Sequence, residues 1–369
     1  MSVEVLGPRA LNRALLARQL LLRRQRLPAL DAVANLVGLQ AQAPFPPYYG
    51  LWSRLDGFSP DELARCLLDR SVVRIVLMRG TVHLVTADDC RWLRPLVQPI
   101  MDRDLGTNTT HAKELVGLDL FRVAFEARAL LAEQPMTAAQ LGKRLAQRWP
   151  DRKPASLAHA ARGLLPLVQI PPRAVWGKSG RPTFATAEDW LGAPLDTKAT
   201  LENLVLRYLA AFGPATVNDI QAWSGLTRLG EVVGRLRGRL RVFATERGRE
   251  LFDVPEAPRP DPETPVPLRL VAEFDNLILS HADRTRVISE EARKRVFAVP
   301  NGVFPGTVLM DGFVQGTWKI VRRRGEAALE VRAFRRYPEK ATAALESEGA
   351  RLLRFAALGD THDIRLVHV

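Results

Sequence analysis

At 369 residues the chain is too long for one simple core and calls for two or three modules. Its 53 Lys and Arg against 40 acids leave a net charge of +13, suited to a polyanionic partner such as DNA or RNA. No apolar run is long enough for a membrane span. Two cysteines outside any CxxC pair and six scattered histidines argue against disulfides and structural zinc, and no P-loop or GxGxxG marks a nucleotide cofactor.

Hydrophobic residues at 47% and charged residues at 25% fit a globular chain with a real core. The first thirteen residues lack the apolar stretch of a signal peptide, so a cytoplasmic location is expected, with no metal and no cofactor. Arg dominates Lys and forks onto phosphates with two hydrogen bonds. A GC-rich genome also inflates Arg, but it explains the net excess less easily.

In chain order, residues 11–24 read as a helix, Asp31 opens a second and Pro60-Asp61 a third. Residues 72–85 follow as two strands bent at Arg79-Gly80. The order repeats: helix 120–133, helix 138–148 capped by Thr137, a helix opened by Pro154, then a hairpin over 174–185. The third copy is the cleanest. A helix over 201–212 ends at Gly213-Pro214, Thr216 caps 217–224, and Gly225 breaks that helix. Thr227 caps 228–237, and strands 240–244 and 250–254 flank a polar tip. Three helices followed by a β-hairpin is the grammar of a winged helix-turn-helix. Pro-rich 255–267 is a linker. Beyond it, strands over 268–274, 302–310, 313–322 and 328–334, a short helix over 289–295 and a final helix over 338–355 predict a small barrel or curled sheet. Asp311-Gly312 supplies its favoured hairpin turn. The expected class is α+β: three tandem winged helix-turn-helix modules (1–112, 113–199, 200–255) and a β-barrel-like subdomain with a C-terminal helix (256–369).

Four stretches could carry chemistry, and each has a plain structural reading beside the functional one. Gln40-Ala41-Gln42 precedes Pro44, Pro46 and Pro47, read as a loop. In extended backbone, residues two apart share a side, so both carboxamides can line one cleft. A primary amide suits holding a water or reading a base edge; the plain reading is a solvated or capping pair. In Arg79-Gly80-Thr81-Val82-His83, Gly80 permits a bend and Thr81 and His83 share a strand face. Residues 273–286, with His281, Asp283, Arg284 and Arg286, form either a buried network or a binding surface. Asn301-Gly302 is a loop, and Arg322, Arg323 and Arg324 make a basic hairpin tip that is either solvated or set against phosphate.

Taken together, Gln40-Ala41-Gln42, Arg79–His83, Phe274-Asp275-Asn276-Leu277 with Ser280–Arg284, and Phe304–Gly312 resemble the AlkZ-type DNA glycosylases. They follow the family's order across nearly the whole chain. The resemblance implies three winged helices curled around a DNA channel and removal of N7-alkylguanine, including unhooking of interstrand crosslinks. It implies repair or antibiotic self-resistance. A second branch of the family carries Asp where this chain has Gln42, and the family's middle position is apolar, which Ala41 fits. The expected catalytic pair is Gln40 and Gln42. The expected DNA-binding residues are Arg79, Thr81, His83, His281, Asp283, Arg284, Arg286, Asn301, Arg322, Arg323 and Arg324. The expected partner of a monomeric chain is double-stranded DNA carrying alkylated purines or crosslinks. The rival readings are a non-catalytic winged-helix transcription factor and a protein-interaction scaffold.

Overall fold

The computed structural model describes residues 3–298 and 304–368. The fold is mixed α+β, built on three sheets. The largest has six antiparallel strands, in the order Leu39–Gln40, Val82–Thr86, Val72–Val76, Leu167–Gln169, Thr183–Thr186, Met136–Thr137. It crosses the expected boundary near residue 112, because Arg74 and Ile75 pair with Gln169 and Val168. Period-2 alternation gives each face its own core. Val73, Ile75 and Val85 enter one hydrophobic cluster, while Val72, Val82 and Leu84 enter another.

Capping chemistry sets several helices where the sequence places them. Thr137 accepts from Gln140 N and Gln140 answers it, a reciprocal box that opens Ala138–Ala146. Thr216 and Asp219 do the same for Val217–Ser224, and Gly225 closes that helix in the left-handed region. Thr227 does not cap the next helix. Leu229–Leu236 begins after Arg228, and Gln221 Oε1 accepts from Leu229 N instead. Strands Arg241–Thr245 and Glu250–Asp253 follow, and Val5–Leu6 joins them in parallel, tying the N-terminus to this region.

Two further expectations are corrected. Pro46 and Pro47 open the helix Pro46–Arg54 rather than a loop, since proline suits the first helical turn, where its missing N–H has no partner to lose. The C-terminal strands do not close into a barrel. They form an open five-stranded sheet in the order Arg269–Val271, Gly306–Met310, Phe313–Arg323, Glu326–Ala333, Thr361–His368. A barrel needs hydrogen bonds between its first and last strands. Here the last strand runs parallel along the far edge, and helix Glu339–Ala356 covers a face through Leu345, Leu352 and Leu353. Among the described residues no helix is long and apolar enough to cross a membrane.

Candidate functional site

Leu39 and Ala41 point into one hydrophobic cluster, which sends Gln40 and Gln42 to the opposite side of the chain. Gln40 pairs with His83 across the sheet and is buried, though not among apolar groups: its Oε1 accepts from Arg79 Nη2 at 2.6 Å. Gln42 is exposed, and its Oε1 accepts from Val82 N at 3.1 Å, continuing the strand pairing one step beyond the Ala41 N to Val82 O bond. Both carboxamide oxygens therefore face donors, which fixes the orientation of each amide. Each oxygen keeps a second lone pair, and neither amide nitrogen donates to a protein group among the described residues.

Arg79 is the hub of this arrangement. The turn between Val72–Val76 and Val82–Thr86 holds it at φ +57°, with Gly80 beside it at φ +70°. A non-glycine residue rarely adopts that conformation, so the surroundings must hold it there. Nη1 donates to Trp223 O at 2.6 Å and Nη2 reaches Asn276 Oδ1 at 3.4 Å, while Asn276 Nδ2 donates to Gly38 O at 3.3 Å. Gly225 makes room for the turn: a Cβ there would lie 3.1 Å from Arg79 Cα. Burial, reinforced by nearby Arg284, pulls the Arg79 guanidinium down to about 10, so it stays cationic at neutral pH.

Beneath this layer lies a buried framework. Arg54 and Asp275 form a bidentate pair, both arms at 2.8 Å, and Arg54 also donates to Gln19 O and Gly50 O. Arg74, also buried, donates from Nη2 to Ala41 O at 2.8 Å, directly under the glutamine pair, while its Nε and Nη1 have no partner among the described residues. Sequence reasoning passed over Arg74 because it sits in an otherwise apolar strand, VVRIV; a lone Arg in such a run was the available signal.

The structure moves three expected DNA contacts into the interior. His83 is fully buried, its Nδ1 faces Thr81 O at 2.9 Å, and its Nε2 has no partner among the described residues. His281 is buried with Nε2 on Phe212 O at 3.1 Å and Nδ1 beside Ser280 Oγ. Arg286 is buried, donating to Pro214 O at 2.8 Å near Asp219. Burial closes these three side chains off from the surface, where the sequence alone placed them at a DNA interface. Thr81 turns its hydroxyl to Met78 O. Asp283 pairs with Arg249 and Thr285, and the hydrogen bonds they donate hold its carboxyl down at about 2. Arg284 lies over the Phe297 ring at 4.6 Å and Arg322 pairs with Asp360 at 2.8 Å. Arg323 and Arg324 stand exposed at the hairpin tip. Asn301 lies outside the described residues.

The two buried histidines make stability pH-dependent. Burial pushes His83 down to about 3 and lowers His281 as well. In the unfolded chain each takes a proton near 6.5. A depressed folded value means that their contribution is complete above pH 6.5 and drains away as pH falls toward 3. Stability is expected to fall by on the order of 1 kcal/mol per pH unit for each such histidine in that window. Urea titrations of wild type and His83→Gln between pH 6 and 4 check this: the variant should lose one histidine's share of the slope, and an identical slope would contradict the assignment.

Comparison with known proteins gives one consistent result. Residues 33–355 match the profile of the AlkZ-like family, described as DNA glycosylase AlkZ-like. The interstrand DNA cross-link repair glycosylase of Streptomyces sahachiroi is 26% identical, over 91% of this chain and 93% of its own length. The solved structure of the Streptomyces sahachiroi DNA glycosylase AlkZ superposes with a TM-score of 0.81 at 22% identity, covering 98% of this chain and 100% of that one.

Proposed function

The chain belongs to the AlkZ-like DNA glycosylases, and on that footing we propose that it is a monofunctional glycosylase hydrolysing the bond between an N7-alkylated guanine and its deoxyribose. The observation that carries the proposal is the Gln40 carboxamide clamped by Arg79, with the exposed Gln42 carboxamide two residues away on the same side.

Alkylation at N7 makes the base cationic, so it departs as a neutral molecule and needs no protonation. Water adds to C1′ as the C1′–N9 bond breaks. The products are an abasic sugar, free 7-alkylguanine and a proton released to solvent. The protein's task is to hold the water and tolerate cationic character on the sugar. Positioning of this kind supplies about 7–11 kcal/mol at its upper end. Gln40 and Gln42 offer the water a lone pair and amide hydrogens without presenting a base strong enough to attack undamaged nucleotides. His83, held neutral by burial, adds no positive charge beside them. No lysine lies in these motifs to act as a nucleophile, so strand cleavage by a lyase step is not expected.

The three helix–helix–helix–hairpin runs read as winged helix-turn-helix modules that face a duplex together, with interstrand-crosslinked DNA as a further substrate. Arg79, Arg284 and the tip Arg322–Arg324 are the cations that would meet DNA in this reading, with Thr81 and Asp283 as polar groups beside them in sequence; Asn301 is proposed with them on its sequence alone. Duplex affinity should fall steeply with salt, with a logarithmic slope of about −0.9 per phosphate neutralised.

The test is a duplex bearing one 7-methylguanine. Expected are free 7-methylguanine and an alkali-labile site, no strand break before alkali, and no release from undamaged guanine. Duplex binding without base release would overturn the proposal and leave a non-catalytic DNA binder.

A further inference from the structure

A cavity of about 380 Å³ opens at the start of the helix that follows the glutamine segment, lined by Phe45, Tyr49, Trp176, Lys178, Ile320 and Arg322. It lies where four segments meet: the start of helix Pro46–Arg54, the loop 170–182, strand Phe313–Arg323 and the end of helix Glu339–Ala356. One contact ties that loop to the helix, and another ties the neighbouring sheet to the glutamine segment. Tyr48 Oη donates to Ala174 O at 2.7 Å, and Arg74 Nη2 donates to Ala41 O at 2.8 Å. Phe45 is three residues beyond Gln42.

The walls are aromatic and the rim is cationic. The Trp176 ring meets Phe45 at 5.5 Å and Tyr49 at 5.9 Å, both edge-on, and packs at a tilt against Tyr48 at 4.9 Å and Phe355 at 5.4 Å. Unlike buried Tyr48 at 1% exposure, Phe45, Tyr49 and Trp176 remain partly open, and it is this open part of Trp176 that lines the cavity. Lys178 makes no side-chain hydrogen bond or ion pair among the described residues, and Arg322 shares only Asp360. Arg173 and Arg181 belong to the same loop. A purely apolar ligand would leave these cations unanswered. A flat ring that carries an anion answers both features.

We infer that this cavity is a nucleobase subsite, which stacks one unpaired DNA base on Trp176 while its flanking phosphate meets Lys178 and Arg322. Its volume falls near the small end of ligand sites, enough for one base and too small for a duplex. Aromatic stacking accepts any base, since each has a π-face. The inference rests on the glycosylase reading and adds to it: the enzyme engages an unpaired base at the start of the helix that follows the glutamine segment.

The test compares full-length protein binding to a paired duplex and to the same duplex with one unpaired adenine, at fixed salt. Wild type should prefer the unpaired site by about 5- to 150-fold, the range set by one stacked base. Trp176→Ala should lose that preference and Trp176→Phe should keep most of it. Lys178→Ala, a surface change that spares the fold, should weaken binding to the unpaired site and flatten its salt slope by about one. With 2-aminopurine at the unpaired position, wild-type binding should quench its fluorescence through stacking. Equal affinity of wild type for both duplexes, or a preference that survives Trp176→Ala, would overturn the inference. Release of 7-methylguanine by wild type in the same preparation separates the two failures: release without preference sinks only the subsite, and no release sinks the glycosylase reading.

Discussion

Gln40→Ala is expected to release 7-methylguanine about 10² to 10³ times more slowly than wild type, the cost typical of losing one preorganised polar group at a reacting centre. The change removes the nearer of the two carboxamides on Arg79 Nη2, at 2.6 Å, and leaves that nitrogen with Asn276 at 3.4 Å. The Gln40 carboxamide meets Arg79, which in turn reaches Asn276 and through it Gly38 O, so the change acts on a polar network. The loss should therefore fall on the single-turnover rate, with duplex affinity changed much less. Arg79→Met keeps the carboxamide and removes its clamp, so it should cost less than Gln40→Ala in the same assay. Full rates in both variants would contradict the clamp.

The largest effect on stability is expected from Asp275→Ala. Arg54 and Asp275 are 0% and 1% exposed in their side chains and meet through two 2.8 Å bonds. Removing one partner of such a pair strands a buried charge and typically costs about 3–5 kcal/mol. The pair joins helix Pro46–Arg54, which follows the glutamine loop, to the short helix Asn276–Leu279, whose first residue braces Arg79. Activity should therefore fall along with stability. Urea denaturation reads the loss as a lower midpoint. A double change, Arg54→Met with Asp275→Leu, should recover part of it, because no charge is then left unpaired. An Asp275→Ala midpoint within error of wild type would refute this role.

Much of this architecture is written locally. Thr137 with Gln140, Thr216 with Asp219, and Gly225 after Ser224 are short-range signals, and the corresponding helix ends fall where those residues put them. The hairpin turn at Asp311-Gly312, both residues at positive φ, is of the same kind. The long-range features were not legible. Nothing in strand Thr361–His368 announces that it will pair in parallel with Glu326–Ala333 and leave the sheet open. Likewise Arg74–Ile75 meeting Val168–Gln169 depends on two segments ninety-odd residues apart.

At the site, the motifs Gln40-Ala41-Gln42, Arg79 and Asn276 were visible as residue types, and the structure brings Gln40, Arg79 and Asn276 together. Burial was the missing information. His83, His281 and Arg286 look like ligands for DNA in a basic chain, yet each is closed in by neighbours contributed from distant sequence. Arg74 was hidden for the converse reason: its role comes from the Ala41 carbonyl above it, a contact no spacing rule encodes.

The most direct measurement is a single-turnover time course of base release from a 7-methylguanine duplex, with the Gln40→Ala/Gln42→Ala double variant run against wild type at saturating protein. Circular dichroism and duplex affinity confirm that the variant is folded and bound. The account predicts that the bound double variant releases almost no base over a time in which wild type finishes. Release at the wild-type rate from that folded, bound variant would show that the two carboxamides do not hold the water.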